Sequence, residues 1–327
     1  MRFDRCSARE GLPERWTASE DRVSAMLVPS AGMNLVSLSV DGEDRLVLPA
    51  PLEKFMAAPR TGGVPLLHPW ANRLRGDRYE AGGRRVDLSG IPDLKRDGNG
   101  LPMHGLLLRA DDWGLETSEA SDGGAAIIEG SIDWSDARPG FEAFPFPHRL
   151  AVRWSLSVGG DAVVTARCDL RVESHGDMVP VASGWHPYLR PRAGIDRGRL
   201  ELRMPPVRHA ALDEDGLPEI EADGTPRLQA SPLLDGPLGD RVFDDLYRAP
   251  DEAWNATVSD GASTIELRTD GSWPWLQVYA PEGSDFVCIE PMLAPTAALS
   301  DGHPLVVEPG RPLEASFTIR ILEDGDH

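Results

Sequence analysis

The chain has 327 residues, 41% of them hydrophobic and 26% charged, which is ample for a large core in one big all-β domain or two smaller ones. Its 33 Lys and Arg stand against 53 Asp and Glu, a formal net charge of −20. A surface this acidic repels phosphate backbones and anionic lipid, so it sets nucleic acid and membrane surfaces aside as partners and leaves a small neutral ligand open.

The opening stretch, MRFDRCSAREGLPERW, is charged and lacks the apolar centre of a signal peptide. No apolar run approaches the ~18–20 residues that span a bilayer. Cys6, Cys168 and Cys288 are too few and too far apart for a disulfide framework, and no C-x-x-C occurs. A cytoplasmic, reducing setting is expected.

The elements follow in chain order. Apolar and polar residues alternate in VSAMLV (23–28), NLVSLSV (34–40), HRLAVRWSLSV (148–158), DAVVTARCDLRV (161–172), STIELRT (263–269), LQVYA (276–280) and ASFTIRIL (315–322). Period-two alternation in runs of this length predicts strands with one buried face. DGED at 41–44, GGD at 159–161 and DGA at 260–262 are hairpin-like connections. Residues 205–240, rich in Pro, Asp and Gly, are expected to form a long surface excursion. No apolar stripe of helical period runs for three turns, so helices should be few and short. The pattern predicts an all-β, large antiparallel sandwich or barrel, with one domain over residues 1–327.

Five polar stretches stand out from this framework. In GGVPLLHPWANRLRGDRY (62–79), Asn72 and Arg73 follow Trp70, a combination that suits carbohydrate: forked donors meet vicinal hydroxyls while the ring covers an apolar sugar face. A surface arginine in a polar turn is the plainer alternative. His68, in the same stretch, is placed to support Arg73 from behind. In LPMHGL (101–106), His104 precedes a glycine and belongs in a tight turn or at a strand start. In SGWHPY (183–188), His186 lies between Trp185 and Pro187-Tyr188, and either fills a corner of the core or moves a proton. As a strand residue it would point opposite to Trp185. In RVFDDLYR (241–248), Asp244 or Asp245 is either solvated or accepts hydrogen bonds from sugar hydroxyls. In FVCIEPML (286–293), Glu290 ends an apolar run just before a proline; a carboxylate there needs hydrogen-bond partners or a raised pKa, and both suit a general base.

Other chemistries lack their signatures. There is no G-x-G-x-x-G after a strand, no G-x-x-x-x-G-K-[ST] and no G-x-S-x-G. His148, His175, His209, His303 and His327 read as loop or strand-edge residues. No two histidines share an H-x-H or H-x-x-x-H spacing beside an acid, so no metal is expected.

Taken together and in order, PLLHPWANRL, the His-Gly at 104–105 followed by Trp113, GWHPYL, FDDLY and CIEPM resemble the aldose 1-epimerase (galactose mutarotase-like) family over about residues 20–322. The resemblance implies a large antiparallel β-sandwich, the supersandwich, with a carbohydrate cleft. It also implies interconversion of the α and β anomers of a free aldose without a cofactor. By position, Glu290 is then the general base that takes the anomeric hydroxyl proton, and His186 the general acid that protonates the ring oxygen. His104 assists by hydrogen bonding, while Arg73, Asp244 and Asn72 hold sugar hydroxyls.

The chain departs from the galactose-specific pattern. It has Gly184-Trp185-His186-Pro187-Tyr188 where those members have Asn-His-Ser-Tyr-Phe, and Glu290-Pro291-Met292 where they have Glu-Thr-Gln. This marks a divergent branch, and others of the family act on hexose 6-phosphates or sulfonated sugars. Arg75, Arg78, Arg84, Arg85 and Lys95 are the candidates for a charge clamp of that kind. A non-catalytic sugar-binding protein would have no need of Glu290, His186 and His104 jointly, and a lyase or hydrolase on a related sandwich would bring a helical half. The expected partner is a small sugar, with the chain a monomer or weak homodimer.

Overall fold

The computed structural model describes residues 1–58, 60–119 and 124–323; His327 lies outside them. All seven alternating runs are strands: Val23–Val28, Asn34–Val40, His148–Gly159, Ala162–Ser174, Ser263–Thr269, Trp275–Ala280 and Leu313–Glu323. The three hairpin connections also fall where the Gly-containing tetrads and triads sit. The α-helices among the described residues are Leu52–Met56 and Ala298–Asp301. None of the described helices is long and apolar enough to cross a membrane.

Two large antiparallel sheets organise the molecule. In the nine-stranded one, Leu313–Glu323 lies between Ser263–Thr269 and Ala162–Ser174, and the latter continues through His148–Gly159 to Ala125–Trp134. The even-numbered residues of His148–Gly159 from Leu150 to Leu156 are buried, while Arg149 and Arg153 are exposed, as a half-buried strand requires. The eight-stranded sheet runs from Leu228–Ala230 through Arg208–Ala210, Phe243–Arg248, Trp275–Ala280 and Val287–Met292 to Gly184–Trp185 and Leu66–Leu67. Indole and phenyl rings join the two sheets: Trp154 and Phe317 of the first meet Trp185 of the second at centroid distances of 5.7 and 5.6 Å. A further five-stranded sheet holds Val23–Val28 and Asn34–Val40.

The eight-stranded sheet positions the site through Val287–Met292, a strand buried at every residue and so on both faces. Leu276, Val278, Ala280, Val287 and Ile289 face the main core; Leu246 and Met292 face a second, smaller apolar cluster with Leu67, Ala71, Leu108 and Ala210. A strand buried on both sides reads as a nearly continuous apolar run, which is how FVCIEPM reads.

Two expectations are corrected. Residues 205–240 are not merely an excursion: Arg208–Ala210 pairs with Phe243–Arg248 and with Leu228–Ala230, and Ala210 and Leu238 are fully buried. His148 is not a strand-edge residue in a loop-like setting. It opens its strand fully buried, with Nε2 2.9 Å from Nε2 of the equally buried His68.

Burial lowers the His148 pKa to about 4 and holds His68 well below 6.5. Above pH 6.5 both rings are neutral whether the chain is folded or not, and they add no pH dependence. Below it the unfolded chain binds protons that the native one refuses, so stability falls as the pH drops from 6.5 toward about 4. The slope is at most about 1.4 kcal/mol per pH unit for each histidine. His186 and His104, also lowered by burial, add to the same slope, and together the four rings outweigh the buried Glu290 carboxyl, whose raised pKa acts the other way. Urea titrations are therefore expected to give a midpoint clearly lower at pH 5 than at pH 7; equal midpoints would contradict the buried neutral rings.

Candidate active site

Glu290 lies within Val287–Met292 rather than at its end, because the strand continues through Pro291. Its register partner is Gln277, and in the next row Asp244 pairs with Tyr279, Tyr279 with Cys288, and Cys288 with Tyr188. Side chains two apart share a face. Asp244, Gln277, Tyr279 and Glu290 therefore project from the face of the sheet opposite the main core.

His186 follows Gly184–Trp185 directly. Trp185 enters the main core, as the alternation predicts, and His186 turns to the other side with its Nε2 3.3 Å from Glu290 Oε1. The imidazole stacks on Tyr188, with centroids 4.6 Å apart and planes 9° from parallel. Tyr188 is itself anchored by its hydroxyl, 2.7 Å from Thr61 Oγ1. Tyr188, more than Trp185 or Pro187, fixes the direction of the ring. Gly184 is required where it stands: a β-carbon there would lie 2.9 Å from the Pro291 carbonyl oxygen and 3.0 Å from Ala71 Cβ.

His104 occupies the turn expected of it, with φ of 63°, and its ring meets His186 edge-on at 5.3 Å. Its main-chain N–H donates to the carbonyl of Asn72, another left-handed residue, at 2.9 Å. Arg73 is the hub on that side. Its Nε donates to Asp97 Oδ2 at 2.8 Å, Nη2 to Asp244 Oδ2 at 3.1 Å and Nη1 to Asn72 Oδ1 at 3.2 Å. Gln277 Nε2 donates to the other Asp244 oxygen at 2.7 Å. Asp245 points away and pairs with His209 at 3.0 Å, so of the two acids it is Asp244 that lies with Arg73 and Gln277.

The structure thus gathers Glu290, His186, His104, Arg73, Asp244 and Asn72 around one region. His68 does not join them by its ring, which bonds Ser183 and His148 instead of supporting Arg73. Among the clamp candidates, Arg75 is taken by Asp301 and Asp213, Arg78 by Asp87, Arg84 by Asp177 and Arg85 by Glu80. Lys95 differs. Met103 bridges to Arg73 on one side and donates its N–H to the Lys95 carbonyl on the other, so the three residues form one cross-strand row beside the site. Lys95 makes no ion pair among the described residues; its acidic neighbour, Asp97, is bonded to Arg73.

Sequence reasoning missed Asp97, Gln277 and Tyr279. The last two were legible in LQVYA, where they fall on the face opposite Leu276, Val278 and Ala280. Nothing local marks Asp97.

Four buried polar atoms at this place have no hydrogen-bond partner among the described residues: Glu290 Oε2, His186 Nδ1, His104 Nδ1 and Gln277 Oε1. Buried polar groups are nearly always paired, and each orphan costs about 1–3 kcal/mol, so these four side chains keep unused hydrogen-bonding capacity. Burial pushes the Glu290 carboxyl well above 4.5, with Asp244 adding and Arg73 opposing. Burial also brings His186 down to about 3, helped by Lys95, and lowers His104 through burial, His186, Lys95 and Arg73. Burial favours the uncharged form of the Glu290–His186 pair, in which the two groups share one proton.

A model of the aldose 1-epimerase family matches residues 14–320. The chain belongs to the aldose 1-epimerase family. The solved structures it resembles include a galactose mutarotase-like protein from Clostridium acetobutylicum, at 15% identity and TM-score 0.78, covering 98% of each chain. They also include galactose 1-epimerase from Lactobacillus acidophilus NCFM, at 17% identity and TM-score 0.70, covering 99% of each chain. An aldose epimerase homologue from C. elegans matches at 15% identity and TM-score 0.65, covering 94% of this chain and 98% of that one. At these identities the likeness is one of fold: the antiparallel sandwich that the family resemblance implies, where the alternating strands alone left a sandwich or a barrel. No curated protein sequence matches the chain.

The seat of His104 is testable at the next residue. Gly105 has φ of 69°, and a β-carbon on it would lie 2.1 Å from the His68 carbonyl oxygen. Gly105→Ala is expected to cost more than the roughly 1–2 kcal/mol of the left-handed backbone alone. The expected result is a lower urea midpoint together with a displaced His104 ring resonance. An unchanged midpoint and resonance would show that the bend tolerates a side chain.

Proposed function

We propose that the protein is an aldose 1-epimerase, interconverting the α and β anomers of a free hexose by acid–base ring opening and closure. The observation that carries this reading is the buried Glu290–His186 contact at 3.3 Å, each partner of which keeps a further polar atom unpaired among the described residues, Glu290 Oε2 and His186 Nδ1. Opening a pyranose requires one proton removed from the anomeric hydroxyl and one delivered to the ring oxygen. Closure on the other carbonyl face reverses both transfers.

The shared proton rests on Glu290 in the free protein, since burial disfavours both charges. Its passage to His186 over 3.3 Å yields a carboxylate to act as base and an imidazolium to act as acid. Arg73 favours the carboxylate form of Glu290. His104 hydrogen-bonds near the anomeric centre and ring oxygen, and Asp244, Gln277, Asn72 and the remaining N–H groups of Arg73 hold sugar hydroxyls. The neutralisation of Arg75, Arg78, Arg84 and Arg85 by acidic partners supports an uncharged substrate.

Following the optical rotation of freshly dissolved α-glucose and α-galactose tests the reading. The wild-type protein should accelerate the decay, and Glu290→Gln and His186→Asn should each lose about 10²–10⁴-fold of that acceleration. No acceleration by wild type on any aldose would make the protein a sugar binder rather than a catalyst, and equal acceleration by wild type and Glu290→Gln would remove Glu290 as the base. The pH profile adds a sign. The pair takes up a second proton only as His186 titrates, near pH 3, so kcat/KM of the folded enzyme should not decline between pH 7 and pH 5. A decline centred near 6.5 would mean a solvated imidazole.

Lys95 favours a second reading, in which the hexose carries a phosphate or sulfonate. It is the one clamp candidate beside Arg73 that makes no ion pair among the described residues. On that reading, wild type prefers glucose 6-phosphate or a sulfonated hexose over glucose, and Lys95→Met raises KM for the charged sugar at least tenfold while leaving neutral sugars within twofold. An equal effect on both assigns Lys95 to hydroxyl binding and supports the neutral substrate.

A further inference from the structure

The buried ring of His68 and its surroundings have no part in the proton transfers, yet the segments that carry His104, His186 and Arg73 and the end of the Glu290 strand meet there. Its hydrogen bonds determine its tautomer. His148 Nδ1 lies 2.7 Å from the carbonyl oxygen of Phe146, which can only accept, so the His148 proton is on Nδ1 and its Nε2 is bare. Both rings are neutral, His68 well below 6.5 and His148 at about 4. His68 Nε2 must therefore donate to His148 Nε2 at 2.9 Å, which leaves His68 Nδ1 as an acceptor for the Ser183 hydroxyl at 2.7 Å. The chain of donors runs one way, from Ser183 to His68 to His148 to the Phe146 carbonyl.

Ser183 stands three residues before His186, and its carbonyl accepts from Leu293 N–H at 2.9 Å, just past the strand that holds Glu290. The main chain of His68 is the seat of the other histidine. Its carbonyl accepts from Leu106 N–H at 2.7 Å, and Gly105 packs directly on it in a parallel bridge. The same segment, beyond the strand Leu66–Leu67, continues through Trp70, bridged to Ala182, to Asn72 and Arg73. His68 thus connects, through its main chain, the bend of His104 and the approach to Arg73, and, through its ring, the Ser183 segment that leads to His186 and bonds the end of the Glu290 strand.

We infer that His68, through its acceptor Nδ1 on Ser183, is a positioning residue that sets His186 and His104 relative to Glu290. The inference rests on the epimerase reading for its kinetic consequence, but not for its structural one. Asn places an acceptor where Nδ1 of histidine lies; Gln reaches where Nε2 lies. His68→Asn therefore keeps the acceptor for Ser183 and loses the bond to His148, while His68→Gln does the reverse. Ser183→Ala removes the hydroxyl and leaves the His68–His148 pair whole.

The experiment combines histidine-ring NMR with kinetics on the full chain. In wild type, the nitrogen shifts should report neutral rings, protonated on Nε2 in His68 and on Nδ1 in His148, unchanged from pH 8 to pH 6. His186 ring protons should be shifted upfield by the stacked Tyr188, and the His104 and His186 rings should give mutual contacts. Ser183→Ala and His68→Gln are expected to weaken that upfield shift and those contacts, whereas His68→Asn retains them. If the epimerase reading holds, kcat falls about ten- to a hundredfold in the first two variants, with KM within threefold because Arg73 and Asp244 are untouched. Ser183→Ala that is folded, with the His186 and His104 signals of wild type, would overturn the positioning role whatever the activity. Displaced signals in a protein that turns over no aldose would instead keep the positioning role and overturn the epimerase.

Discussion

Two ionisable groups that can share a proton, held together where neither can be charged cheaply, are the constraint on which the site depends. Glu290 and His186 are 3.3 Å apart and almost entirely removed from solvent. In water each would titrate on its own; here the charge of one is tolerable only opposite the charge of the other. The pair can pass between a neutral and an ionic arrangement without any net change in buried charge. A reaction that removes one proton and returns another has that same balance, so the pair suits it with no group of greater reach.

Such a pair is held here by a strand buried on both faces. One face of Val287–Met292 fastens the strand to the main core through Val287 and Ile289, leaving Cys288, Glu290 and Met292 to the other. Fixed register then does for Glu290 what a flexible loop cannot, because it is bound to sit opposite Gln277, beside the row of Asp244 and Tyr279. On the neighbouring strand, the Trp185 indole locked between Trp154 and Phe317 makes the next residue, His186, face the site. Core packing and site geometry are in this sense one arrangement.

That link explains which features are legible in the amino-acid order. Period-two alternation marks the long strands nearly to the residue, since each has one wet and one dry face, as in His148–Gly159. The same rule sends Trp185 and His186 in opposite directions. It is weakest where strands are buried on both sides or are very short. A proline after Glu290 reads as the end of a strand, yet the strand runs on to Met292. Residues 205–240 read as an excursion because Pro, Gly and Asp dominate them, although Arg208–Ala210 is a strand of the site's own sheet. Closeness in sequence suggests that His68 supports Arg73, but its ring turns from the site toward His148 and Phe144. Asp97, 24 residues beyond Arg73, carries no local mark of its bond to the guanidinium.

The left-handed residues show where the site costs the fold stability. Asn72, His104 and Ala297 all have positive φ, and each is tied to the same patch: His104 N–H bonds the Asn72 carbonyl, and Ala297 N–H bonds that of Arg73. Asn tolerates this conformation through its short polar side chain, but histidine and alanine gain nothing from it locally, and each costs of order 1 kcal/mol. A turn serving only to reverse the chain would be better built with glycine at all three. At His104 the cost is offset by something glycine could not give, because the bend carries an imidazole to 5.3 Å from His186. Strain of this kind persists only where surrounding structure enforces it, and here Gly105 packed against the His68 carbonyl does so. The strained bends therefore fix the polar cluster in place, with acceptors and donors that stay unpaired among the described residues.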